Sequence, residues 1–199
     1  MKTKYVLNSG GLKNQPERAK EFYAEVFKDL GPSPKILMCF FAQKREDWEE
    51  KFTNYSKDFH EQANLGSQPE FMMAMPADFE EQLKWCDAVY IYGGDDYLLQ
   101  YWLKQFDLPK LWRGKTVATN SAGSDALAKY FWPCDWRACM DGLGILPVKF
   151  LAHHNSDFGT DDPRGSIDWN EAKKELENYG DKSLPVYALE EGEFVVIEK

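Results

Sequence analysis

Ser121 closes a short apolar, β-prone run, Val117-Ala118-Thr119-Asn120, and is followed by Ala122-Gly123-Ser124 and an expected helix over Asp125 to Phe131. A serine flanked by small residues between strand and helix has the pattern of a nucleophile elbow, a sharp turn that lifts the hydroxyl above a parallel sheet. Ala122 and Gly123 let such a turn close and let backbone N–H groups approach a developing oxyanion. Thr119 stands where the G-x-S-x-G pattern has its first glycine, and the same window also fits a serine helix cap. Serine is a weak nucleophile at neutral pH and needs a base held by a third group. The chain has three histidines, and two of them, His153 and His154, are adjacent at the end of an expected strand. Neighbours on an extended chain point to opposite sides, so only one of this pair can face Ser121. Asp135, Asp141, Asp157, Glu190 and Glu191 could each supply the acid, and spacing does not choose among them.

A second group of residues could receive the oxyanion. Gly93-Gly94 ends an apolar run and opens a helix, so its free backbone N–H groups could meet an anion. Asp95 and Asp96 follow at once and would repel a phosphate. An oxyanion hole for a neutral carbonyl, beside an ammonium group, suits those charges better.

The elements that must position these residues alternate in the manner of βα repeats around a parallel sheet. Strands are expected at Tyr5 to Asn8, Lys35 to Phe41, Glu70 to Met75, Ala88 to Tyr92, Thr116 to Thr119 and Ile145 to Leu151. A terminal hairpin is expected from Val186 to Leu189 and Glu193 to Glu198, turning at Glu190-Glu191-Gly192. Helices are expected at Pro16 to Leu30, Arg45 to Leu65 with Gly66 as its stop, Phe79 to Trp85, Tyr97 to Phe106 and Trp169 to Tyr179. Trp48, Phe52, Tyr55 and Phe59 fall at helical spacing and read as a sheet-facing stripe, with His60 off the stripe in solvent. Ligands of open α/β sheets sit at the C-terminal strand ends. Asn8-Ser9-Gly10-Gly11, Gly93-Gly94, Ser121 and the histidine pair therefore gather on one rim. The polar stretch Asn155 to Asp168 is long enough to cover that rim or to be a plain surface excursion.

Composition narrows the classes. A chain of 199 residues suits one domain, 1–199, and can bury a substantial core. A net charge of −9 without a Lys/Arg stripe argues against nucleic acid. No stretch approaches a membrane span, and the N-terminus lacks the apolar region of a signal peptide. The four cysteines are too scattered for a disulfide framework, and Cys134-x4-Cys139 with the histidine pair lacks usual metal-ligand spacing. No metal and no cofactor are expected, and the compartment is read as the cytoplasm. The oligomeric state stays open between monomer and homodimer.

Val6-Leu7-Asn8-Ser9-Gly10-Gly11, Ile91-Tyr92-Gly93-Gly94, Asn120-Ser121-Ala122-Gly123, Gly142 to Pro147 and Pro185 to Leu189, in that order, resemble the dipeptidase E/cyanophycinase-like serine peptidases. The resemblance implies a flavodoxin-like three-layer α/β sandwich related to class I glutamine amidotransferases, with a mostly parallel central sheet. It also implies an amide hydrolase acting on small peptides through a Ser-His-Asp triad. On that resemblance Ser121 is the nucleophile, His153 the base and Asp135 the third member, with Gly94 and Ala122 as oxyanion donors and Gly93 and Asp95 beside the substrate. The chain departs from the family at Thr119, at Asp95-Asp96 in place of Asn-Thr, and at Ala152 in place of a proline. Those departures leave open an inactive member that binds a small molecule or protein, or an esterase or acyltransferase using the same triad.

Overall fold

A computed structural model describes residues 2–62 and 68–199. In chain order the strands are β1 (Lys4–Asn8), β2 (Lys35–Cys39), β3 (Glu70–Met73), β4 (Ala88–Ile91), β5 (Thr116–Asn120), β6 (Tyr130–Phe131), β7 (Met140–Asp141), β8 (Lys149–Leu151), β9 (Val186–Ala188) and β10 (Phe194–Glu198). The helices are α1 (Pro16–Phe27), α2 (Trp48–Gln62), α3 (Phe79–Trp85), α4 (Asp96–Leu103), α5 (Leu108–Leu111), α6 (Ala122–Leu127) and α7 (Trp169–Asn178). The expected stop of the second helix, at Leu65 and Gly66, lies outside the described residues.

The central sheet has six strands in the order β10-β1-β5-β4-β2-β3. All its pairings are parallel except β10, which runs antiparallel along β1. This is the mostly parallel α/β architecture expected from the alternation of apolar runs and helices. Its inner strands are buried on both faces, so they read as continuous apolar runs rather than as alternating ones. The register puts Asn8 level with Asn120 and Ile91 level with Thr119, so the C-terminal ends of β1 and β4 flank that of β5. Helix α1 buries Ala19, Phe22, Tyr23 and Val26, the face its spacing marks. The ring of Phe59 from α2 sits 4.6 Å from Tyr23 and 4.8 Å from Tyr90, at edge-to-face angles favoured by aromatic quadrupoles.

Three expectations differ from the structure. The segment Ile145 to Leu151 adds no strand to the central sheet. Pro147 interrupts it, and only β8 pairs, within a second sheet of order β7-β6-β8-β9. The helix after Ser121 stops at Leu127, because Lys129 and Tyr130 turn their N–H groups to Val148 and the chain becomes β6. The terminal hairpin does not form: β9 lies parallel to β8, whereas β10 lies antiparallel to β1. The Glu190-Glu191-Gly192 turn thus carries the chain from the small sheet to the large one. Lys149 of β8, fully buried, ties the small sheet to α7 by donating to the carbonyls of Leu176, Glu177 and Tyr179 at the C-terminal end of that helix.

Candidate active site

Ser121 has φ 49° and ψ −118°, a conformation that non-glycine residues adopt only where the surrounding structure enforces it. Its N–H donates to the Asn8 carbonyl across the sheet, at 3.0 Å, and its carbonyl accepts from Ser124 and Asp125 in the first turn of α6. Thr119 explains itself here. Its buried hydroxyl lies 2.7 Å from that of Ser124, which in turn donates to the Asn8 carbonyl, so the residue replacing the usual glycine ties the elbow to β1.

The Ser121 hydroxyl lies 2.9 Å from Nε2 of His153. On the far side of the same ring, Nδ1 is 3.1 Å from the Glu191 carboxylate. His154 takes no part. Its N–H pairs with the Leu189 carbonyl, and its ring lies edge-on to Trp169. Among the described residues no other candidate acid hydrogen-bonds the His153 ring. The Asp135 carboxylate makes no hydrogen bond to His153 among the described residues; this exposed residue instead offers its main-chain carbonyl to Arg164. Asp141 accepts from the Tyr179 hydroxyl, and Glu190 faces Arg18 at 3.7 Å. The partner of the ring is therefore Glu191 where the resemblance pointed to Asp135.

The seat for this pair is the end of β1. The Ser9 hydroxyl donates to the Leu189 carbonyl at 2.7 Å and accepts the His153 N–H at 2.6 Å, bridging the two segments that carry His153 and Glu191. The Asn8 side chain donates to the carbonyls of Gly192 and Glu193, and the Gly192 N–H returns to Gly10. Gly10 and Gly11 have φ of 117° and 70°; a methyl group on the first would strike the His153 ring, and on the second the Glu191 carboxylate. Sequence reasoning saw this Asn-Ser-Gly-Gly turn and the Glu-Glu-Gly turn but had no local signal that one clasps the other.

Burial sets the charge state of the base. Desolvation lowers the His153 pKa below its ordinary value of 6.5, and the hydrogen bond and charge of Glu191 oppose that shift without cancelling it. Phe158 stacks on the imidazole at 4.4 Å, so the Asn155 to Asp168 stretch does cover the rim. Ser121 lies between two recesses of about 210 Å³ each. One is bounded by Gly10, Gln43, Tyr55, Tyr92, Gly93 and Asn120, the other by Asp96, Ala122, Asp125, Cys134, Asp135 and Phe158. Tyr55 keeps its place in the core-facing stripe, against Phe40 and Tyr92, and also borders the site. Gly94 and Ala122 also line the second recess, and no backbone hydrogen bond engages the N–H of either among the described residues. The Gly93 carbonyl accepts from the Gln43 amide. The Asp95 carboxylate caps α4 by accepting the Leu98 N–H at 2.8 Å.

Among the described residues the four cysteines are free thiols, and no group of three or more His, Cys, Asp or Glu side chains is arranged to hold a metal ion. No described helix is long and apolar enough to cross a membrane.

Fold and site together define an α/β protein with a serine elbow at the C-terminal edge of a parallel sheet. Two solved structures share this architecture. A peptidase from an acI-B1 Actinobacterium matches 98% of this chain and 83% of its own at 22% identity, with a TM-score of 0.65. A candidate peptidase E from Listeria monocytogenes EGD-e matches 100% of this chain and 98% of its own at 16% identity, with a TM-score of 0.66. At these identities the likeness establishes a common fold, that of peptidase E-like proteins. No family model matches the sequence, and no curated protein matches it.

Proposed function

We propose that this protein is a serine hydrolase that cleaves amide bonds in small peptides, with Ser121, His153 and Glu191 as its triad. One observation carries the reading: a strained elbow serine lies 2.9 Å from an imidazole whose other nitrogen meets a carboxylate at 3.1 Å. The peptidase names of the two structural neighbours agree with it. In this reading the Ser121 oxygen attacks the substrate carbonyl carbon as its proton passes to Nε2 of His153. Ionised Glu191 accepts the Nδ1–H, which fixes the tautomer and stabilises the imidazolium. The tetrahedral oxyanion accepts hydrogen bonds from the N–H groups of Gly94 and Ala122, each such donor being worth about 2.7–4 kcal/mol in comparable sites. The C–N bond then breaks, His153 returns the proton to the leaving amine, and water repeats the cycle on the acyl-enzyme.

The size of the recesses favours a short peptide over a folded chain. Four free thiols suit the reducing cytoplasm. Ser121→Ala should retain the parental circular dichroism spectrum and lose roughly 10³-fold or more in kcat, followed by amine release from a set of dipeptides. Fluorophosphonate labelling of the parent at Ser121 would agree, and an alanine variant as active as the parent would overturn the triad.

A further inference from the structure

The carboxylate that meets His153 stands on a turn with few main-chain anchors. Glu190, Glu191 and Glu193 place three carboxylates within four residues, and like charges this close favour splaying the turn apart. On its outer side the turn borders an open recess of about 500 Å³ rather than a packed layer. The carbonyls of Leu189, Gly192 and Glu193 accept from the side chains of Ser9 and Asn8, and that of Glu190 accepts the Glu193 N–H. For Glu191 the only main-chain hydrogen bond among the described residues comes from outside the turn: Arg18 Nη1 donates to its carbonyl at 2.7 Å. The second nitrogen of that guanidinium, Nη2, lies 3.7 Å from the Glu190 carboxylate and 3.6 Å from that of Glu193.

Arg18 reaches this place from the first turn of α1, a few residues beyond Gly10 and Gly11. A methyl group on Gly192, at φ 79°, would come within 2.9 Å of the Arg18 Cδ and 3.0 Å of its Cβ, so the turn also seats on the arginine stem. The two carboxylate contacts are half-exposed, and such pairs contribute little by themselves. The bond to the Glu191 carbonyl therefore carries most of the constraint. It anchors the residue from its main-chain side and leaves the carboxylate to face Nδ1 of His153. A planar fork can serve a carbonyl and two carboxylates together, which a single ammonium does less well. Arg18 lines neither recess beside Ser121. We propose that Arg18 is a positioning residue, holding Glu191 against His153 without touching the substrate or the reacting atoms. This rests on the reading of Ser121, His153 and Glu191 as the triad. The segment from Asn8 to Arg18 then seats both partners of the serine, His153 through Ser9 and Gly10, and Glu191 through Gly11 and Arg18.

The test is a double-mutant cycle on the full chain, read by dipeptide hydrolysis and by the rate at which a fluorophosphonate labels Ser121. Arg18→Ala should keep the parental circular dichroism spectrum and lower kcat roughly 10- to 100-fold, the cost of a catalytic group displaced by up to about 1 Å. KM should stay within about threefold, because no substrate contact is removed. Arg18→Lys, which can meet the carbonyl but not both glutamates as well, should fall between parent and alanine variant. Lys20→Ala, which removes an exposed lysine of the same helix paired with Glu17, should match the parent. In a Glu191→Ala background no carboxylate is left to hold, so Arg18→Ala should cost less than about threefold further, in hydrolysis and in labelling alike. Parental kcat in Arg18→Ala, a loss confined to KM, or an equal loss in both backgrounds would overturn the proposal; the last would mark Arg18 as a general support of the fold. Parental kcat in Glu191→Ala would instead strike the triad, so the two failures are distinct.

Discussion

At Ser121 and His153 the decisive quantities are protonation and orientation. A base must be neutral before attack, and His153 is held below its ordinary pKa of 6.5 chiefly by desolvation. Lowering the pH protonates the ring and removes the base, so kcat/KM should fall on the acid side with a midpoint under pH 6.5. Glu191 pulls in the opposite direction, because its charge and hydrogen bond favour the imidazolium. Glu191→Gln should therefore move the acid limb to still lower pH and cut kcat by roughly 10²–10⁴-fold. A pH–rate profile of parent and variant reads both effects, and an unmoved limb with parental kcat would remove Glu191 from the triad. The motif resemblance favoured Asp135 because the acid was counted forward from the serine. The structure instead brings the carboxylate from 38 residues beyond the histidine, a separation that no local pattern encodes.

Among the elements, the end of β1 does more than its length suggests. Its five residues pair with β5 on one side and β10 on the other. The turn beyond them holds the His153 backbone through Ser9 and the Glu191 turn through Asn8 and Gly10. The expectation of a rim formed by strand ends was legible because strands and their glycine-bearing ends are local features. The clasp was not, since β10 was expected to pair with β9 and instead joins β1. Gly10→Ala should press a methyl group into the His153 ring at a φ of 117° that an alanine tolerates poorly. Misplacement of a catalytic group by about 1 Å can cost 10²-fold in rate, so kcat should drop by about that factor while far-UV dichroism is retained. Parental activity in this variant would show that the imidazole is not held there.

For the whole molecule, the buried carboxyl groups of α4 and α6 tie stability to pH. The pKa of Asp125 is raised on folding, chiefly by burial and then by Asp96, so the native chain holds that proton more tightly than the unfolded chain does. Such a group favours folding fully below the ordinary aspartate pKa of 3.8 and destabilises progressively as the pH rises toward its raised native value. Asp125→Asn should therefore raise the unfolding free energy at pH 7–8 by on the order of 1–3 kcal/mol, with the gain shrinking toward pH 4. Urea unfolding at the two pH values measures this, and a variant less stable than the parent at pH 8 would refute it. The main core, built on aromatic contacts among α1, α2 and β4, supplies the scaffold that tolerates such a pair.

Residues close together in the chain carried what could be read without coordinates: the small residues around Ser121, the apolar runs of a parallel sheet, and the glycines at the strand ends. These follow from backbone sterics and side-chain periodicity, which act over a few residues. Which carboxylate meets His153, and that Asp96 and Asp125 converge beside the serine, depended on strand order and on the passage from β9 to β10. Those contacts join segments tens of residues apart, and their free energy exists only once the two sheets and their helices have packed.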